Sequence, residues 1–257
     1  MAARHGGARH GRLQHQGRPL TELVADCARC AALCCAALPY ARSREFPEDK
    51  PAAVPCRHLE EDFRCGIHAG LLEGGWRGCV VFDCFGAGQQ VVQVTYGGRT
   101  WRDDPATADE MFAVFEVVRA LHEVRFLLQD PAVAGSPYAQ EGEALDRELA
   151  ALAGSGPARL LSADLGAVRA GAGDLFARVA AHAGGPSHRG ALLLAADLRA
   201  VDLDRADLLG ADLRDADVRG ADLSRTLFLT QPQLNACLGD AATLLPARLQ
   251  RPAHWGA

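Results

Sequence analysis

Eight of the nine cysteines in the chain fall between Cys27 and Cys84, and the ninth, Cys237, stands alone near the other end. Their order is Cys27-x2-Cys30-x3-Cys34-Cys35, then Cys56-x8-Cys65, then Cys79-x4-Cys84. Thiolates are soft donors that select zinc, iron-sulfur clusters or copper(I) over hard cations. In a reducing compartment such a concentration of thiols is better explained by metal than by disulfides. Cys27, Cys30, Cys34, Cys35, Cys56, Cys65, Cys79 and Cys84 are therefore the candidate metal ligands, with His68 beside them, and the spacing does not choose among the soft metals. On a helix, Cys27, Cys30 and Cys34 fall within an arc of about 60°, close enough to share one ion. The competing reading is packing, because the same three continue an apolar stripe, Leu20, Leu23, Cys27, Cys30, Cys34 and Leu38. Cys237 reads as a buried thiol of the C-terminal segment.

The elements that must position these thiols are short. Pro39, Pro47, Pro51 and Pro55 interrupt any long helix or strand in residues 20–103, so this stretch has few regular elements with which to close a core. Crosslinking by metal would compensate, and Arg29, Arg57, Arg64 and Arg77, each within two residues of a cysteine, would offset excess thiolate charge. QQVVQVTYGGRTW reads as a strand ending in a Gly97-Gly98 turn, and Gly86-Ala87-Gly88 reads as a turn before it. Residues 104–183 read as helices. One opens at Asp104-Pro105, runs through Met111, Val114, Phe115, Val118, Leu121 and Leu128, and closes at Asp130-Pro131. A second fits EGEALDRELAAL and a third fits 158–183, with Gly171 and Gly173 weakening the third. These stripes are core packing and carry no visible chemistry.

Composition narrows the function further. The net charge of -5 supplies no field that attracts a polyanion, which argues against a general nucleic-acid binder. The only lysine, Lys50, lies in FPEDKPAAVP, outside any phosphate-binding glycine loop. The longest apolar stretch, LTELVADCARCAALCCAAL, contains Glu22, Asp26 and Arg29 and does not span a bilayer. The first 18 residues hold arginines and histidines with no apolar core or cleavage signal, so a cytoplasmic location is expected. No nucleophile elbow, zinc-protease helix or calcium loop is present, and no catalytic activity is expected.

From Ala191 to Thr230 the chain divides into eight pentapeptides, ALLLA, ADLRA, VDLDR, ADLLG, ADLRD, ADVRG, ADLSR and TLFLT. The third position is large and apolar, from Leu193 to Phe228, and the first is small. A helix would turn about 140° per five residues and scatter the leucines, so the period calls for a repeated turn. This A-D-L-x-x pattern resembles the pentapeptide repeat family, whose fold implies a right-handed quadrilateral β-helix, and Trp255 is the expected plug of its C-terminal end. The second position, Asp197 to Asp222, suggests the acidic ladder by which some members of that family imitate DNA, although Asp also suits turns. The cysteine segment in turn resembles the zinc- or iron-chelating C-x-x-C-x-x-C-C family, through Cys56, Leu59, Cys65, Ile67 and His68 of PCRHLEEDFRCGIHAG. It departs by one residue between Cys30 and Cys34. That resemblance implies zinc or iron, an iron-sulfur cluster included, as cofactor.

The expected class is α+β: a basic tail over 1–19, a Cys-rich metal-binding domain over 20–103, a helical segment over 104–183, a short repeat solenoid over 184–230 and a C-terminal cap over 231–257. The expected function is a binding or scaffold protein, working through a protein partner or a homodimer, with neither membrane nor nucleic acid as partner. The alternatives are an iron-sulfur redox protein or metal-dependent enzyme centred on the cysteines and, behind them, a DNA-mimic modulator of gyrase.

Overall fold

A computed structural model describes residues 20–256, and the basic tail expected over 1–19 lies outside the described residues. The cysteine-bearing segments are irregular. After short 3-10 turns at Leu20–Leu23 and Cys27–Arg29 come helices α1 (Leu33–Ala37), α2 (Arg77–Val81) and α3 (Ala87–Gln89). The continuous helix through Cys27, Cys30 and Cys34 does not form, because Ala31 and Ala32 adopt left-handed backbone with φ 48° and 52°. The strand expected over QQVVQVT is also replaced, by a π-helical turn Gln90–Thr95 that continues α3. Burial explains this outcome. Val91 and Val92 are consecutive and both inside the core, whereas a strand would send neighbours to opposite faces.

A helical body follows, built around α4 (Ala108–Leu128), with Met111, Val114, Phe115, Val118 and Leu121 fully buried along it. Helices α5 (Pro131–Ala134), α6 (Ala139–Ala153), α7 (Pro157–Leu161) and α8 (Leu165–Ala183) complete the body. Against α4 pack α6, α7 and α8 from one part of the chain and α1 and α3 from the other. The third helix expected over 158–183 is divided because the Asp164 carboxylate accepts from Ala167 N and opens α8 there.

The repeat region overturns the expected α+β class. Among the described residues there is no β-strand, so the quadrilateral β-helix is not formed, and the repeats are a stack of turns on a helical protein. Its rungs meet in isolated parallel bridges such as Leu192 to Asp212 and Asp197 to Asp217. A left-handed residue at the end of many units stops each extended run after one residue: Ala195, Arg205, Gly210, Asp215 and Gly220 all have φ between 54° and 69°. The aspartates close these turns, each accepting the N–H two residues on, as Asp212 does from Arg214 and Asp222 from Ser224. Arg199, Arg214 and Arg219 fold back bidentately on Asp197, Asp212 and Asp217. Inside the stack, Leu203, Leu208, Leu213, Val218 and Leu223 form an apolar column with Leu249 and Trp255 of the C-terminal segment. Trp255 lies where a side chain at Gly239 would collide with its ring, and its indole N–H donates to Cys237 O.

Asp130 joins the three parts of the chain. Its carboxylate caps α5 through Ala132 N at 3.0 Å, accepts from Phe228 N of the repeats at 2.9 Å, and pairs with Arg248 at 2.7 Å. Both side chains are buried, at 3% and 6% exposure. Removing one partner of such a pair strands a buried charge and typically costs about 3–5 kcal/mol. Asp130→Ala is therefore expected to lower unfolding stability by roughly that amount in urea titration, while Asp130→Ala with Arg248→Met recovers part of the loss.

His122 provides a pH signature. It is 1% exposed on α4, its Nδ1 is 2.8 Å from Phe85 O, and burial lowers its pKa to about 4 against an opposing pull from the Phe85 carbonyl and, more weakly, from Glu22 and Asp146. The neighbouring Arg125 guanidinium lowers it further. The unfolded histidine binds a proton near pH 6.5 while the folded one stays neutral, so its stabilising contribution is present above about pH 6.5 and is lost as the pH falls towards 4. The slope attributable to this one group approaches about 1.4 kcal/mol per pH unit. Unfolding measured between pH 7 and 4.5 should show it, and His122→Gln should flatten it.

Candidate metal centre

The nine cysteines are all free thiols, and no disulfide competes for them. The first eight lie on the loops and short helices of residues 27–84, which form a thiol basin. The first two are adjacent: Cys30 Sγ is 3.6 Å from Cys27 O, and hydrogen bonding with Cys30 holds the Cys27 thiol down at about 6, helped by His68. The Cys30 thiol is raised by the same contact and by burial. At the head of α1, Cys34 and Cys35 place their sulfurs 3.9 Å apart, and their interaction raises the Cys34 thiol and lowers the Cys35 thiol. Cys56 N donates to Cys35 O at 3.0 Å, and Tyr40 Oη donates to Cys56 Sγ at 3.5 Å. Cys65 returns to this neighbourhood by an antiparallel bridge with Leu59. Burial, then the nearby charges of Cys35, Cys56 and Cys65, push the Cys79 thiol up to about 12. Burial also raises Cys84, whose thiol is under the influence of Cys27.

The basin contains one buried ammonium that sequence reasoning passed over. Lys50 is 5% exposed and donates to Ala36 O, Leu38 O and Pro51 O at 3.2, 2.5 and 3.1 Å, so all three of its protons are used. No carboxylate within ion-pair distance faces it among the described residues, and the groups that favour its charge are Cys56, Cys35 and Cys34. Its burial pulls its pKa down. The signal was present in the sequence as the sole lysine of the chain, placed among four prolines. Of the four arginines expected to offset thiolate charge, three are engaged with carboxylates. Arg57 pairs with Glu48 at 2.7 Å, Arg64 with Asp62 at 3.5 Å and Arg77 with Asp215 at 2.5 Å.

In kind, these donors suit a soft metal: eight free thiols, one histidine and a fixed cation in a partly desolvated basin. Among the described residues no three His, Cys, Asp or Glu side chains already converge on a common point. Cys237 stands outside this basin, buried in the repeat core, with Sγ 3.2 Å from Gln233 O, and burial pushes its thiol up to about 12.

The basin is anchored to the repeats. Arg77, at the start of the α2 helix that carries Cys79, donates to Asp215 and to Ala236 O at 2.7 Å. Asn235, which ends helix α9 (Gln231–Asn235), donates to Val80 O at 3.2 Å. Leu23 and Phe85 from the cysteine segments share a core with the leucine column of the repeats. No described helix is long and apolar enough to cross a membrane.

A family model described as pentapeptide repeats matches residues 191–228, in eight copies. No solved structure matches the chain. A protein of Bacillus subtilis (strain 168), "Uncharacterized protein YybG", is 41% identical over 265 residues, covering 91% of this chain and 95% of its own length. A likeness of that extent runs through the cysteine basin and the helical body as well as the repeats, and the chain belongs to the same family as YybG and carries pentapeptide repeats.

Proposed function

We propose that the protein is a binding or scaffold protein in which a metal-holding thiol basin stiffens the segments anchored to the pentapeptide stack. The observation that carries this reading is the clustering of eight free thiols in residues 27–84, with Cys34, Cys35 and Cys56 near a buried ammonium that has no carboxylate partner within ion-pair distance among the described residues. Zinc or iron bound there would draw the loops of residues 27–84 together, supplying the crosslinks that a proline-interrupted segment cannot obtain from regular structure. The ligands would be drawn from Cys27, Cys30, Cys34, Cys35, Cys56, Cys65, Cys79 and Cys84. Through α2, Arg77 and Asp215, order in the basin then supports one face of the repeats, which is the surface offered to a partner protein. The acidic column gives little support to DNA mimicry, because its carboxylates are consumed by turn N–H groups and by the arginines two residues on.

Ligand binding and folding are linked, so removing the metal should destabilise the protein. A strong chelator is expected to lower the melting temperature of anaerobically purified protein. Cys30→Ala combined with Cys65→Ala should lose the metal and melt at the chelated value. An unchanged melt with chelator, together with eight freely titrating native thiols, would return these cysteines to ordinary packing. The absorption spectrum separates the two chemistries, since zinc thiolates are colourless in the visible and an iron-sulfur cluster is not.

A further inference from the structure

The stack of repeats is covered at one end and open at the other. Its layers bridge in register, Ser187 with Asp207, Leu192 with Asp212 and Asp197 with Asp217. In the second layer each bridged residue bonds both its N–H and its C=O to the layer before: Asp212 N donates to Ala191 O, and Asp212 O accepts from Leu193 N. Asp207 and Asp217 do the same, as do Leu227, Leu238 and Leu244 in the layer after. Ser187, Leu192 and Asp197 have no layer before them, and their N–H and C=O groups have no hydrogen-bond partner among the described residues. Gly190 and Ala195, with φ 62° and 54°, turn the chain between them, so the three lie on successive sides of the first layer.

The first unit is also built unlike those that follow. In the next six units the second residue is an aspartate, and each of these carboxylates, from Asp197 to Asp222, accepts the N–H two residues on. In ALLLA that position is Leu192, which cannot cap the turn, and Leu194 stands two residues on. Leu192 is 86% exposed and Leu194 53%, and Val201 of the same layer is exposed as well. Leu193 and Ala196 are only partly buried at this end of the apolar column, whereas Leu249 and Trp255 join the column from the C-terminal segment. An open edge with exposed leucines is a template for pairing, and natural proteins cover or blunt such edges.

We propose that a second copy of this chain covers the open end, joining two stacks through their first layers in a two-fold dimer. The unpaired groups lie on several sides of a turned layer, and one extended peptide pairs with a single side only. The end of another stack follows the same corners. Charge also permits the meeting: the first layer carries Arg189, Arg199 and Arg205 against Asp197, Asp202 and Asp204, a balanced edge that does not repel its own copy. In a two-fold contact the facing layers run antiparallel, with Leu192 opposite Leu192 of the partner subunit and Ser187 opposite Asp197 of the partner subunit. Antiparallel residues in that relation can exchange both N–H···O=C bonds, and the leucines around them leave water. The dimer does not rest on the metal reading, since no cysteine lies in this layer.

The test is sedimentation velocity of the full-length chain over a dilution series, with Leu192→Asp and Leu194→Arg combined as the variant. Those two changes turn ALLLA into ADLRA, the sequence of the unit that follows it. The turn thereby gains a carboxylate cap, and the variant is expected to keep wild-type circular dichroism and to melt no lower than wild type. Wild type is expected to sediment as a dimer that dissociates on dilution, and the variant as a monomer at every concentration. Leu244→Asp, at an exposed leucine in the last layer, is expected to remain dimeric. A wild type that is monomeric throughout the series would overturn the proposal, and so would a double variant that still dimerises. A dimer lost in Leu244→Asp but kept in the double variant would place the contact at the other end and contradict it.

Discussion

The carboxylate of Asp130 holds the protein together. It lies where the central helix ends, and three partners from distant parts of the chain satisfy it: the first turn of α5, the backbone of Phe228 in the last repeat, and the guanidinium of Arg248 in the C-terminal segment. A buried carboxylate is tolerated only when its lone pairs are used and its charge is matched. The helical body, the repeats and the cap are therefore constrained to one relative arrangement. Phe176 of α8 packs on Phe228 at 4.7 Å, and Arg248 stacks over Phe126 at 4.5 Å, so the polar node is sealed by aromatic rings.

That arrangement gives the cysteine segments a surface to close against. They have little regular structure of their own, yet Val91 and Val92 enter the helical core, and Leu23 and Phe85 enter the repeat core. The loops between them are held by polar ties, including Lys50 to three carbonyls and Trp101 Nε1 to Ala31 O at 2.8 Å. The thiols are thus placed by contacts made elsewhere in the fold.

Much of this plan could be read from the residues, and its failures have physical causes. The clustering of cysteines and the period of five were visible because both are spacings in the chain. α4 was visible because its apolar positions follow the helical period and Asp104-Pro105 and Asp130-Pro131 bracket it. The strand assigned to QQVVQVT failed because valine's preference for extended backbone is weak beside the gain from burying Val91 and Val92 together. The helix assigned across Cys27 to Cys34 failed because left-handed Ala31 and Ala32 are imposed by tertiary contacts, and alanine gives no local sign of them. The β-helix failed through the corner residues: Ala195, Arg205 and Asp215 turn the chain before an extended run can lengthen. The role of Lys50 was hidden because a lysine among prolines looks like a solvated loop residue, and only the fold brings three carbonyls to it.

The central claim is that thiolates of this basin hold metal, and its most direct test is X-ray absorption at the edge of the metal that co-purifies with anaerobically prepared protein. The account predicts a first shell made of sulfur alone, at about 2.3 Å if the metal is zinc. A first shell dominated by oxygen or nitrogen, or protein with no stoichiometric metal to measure, would contradict it.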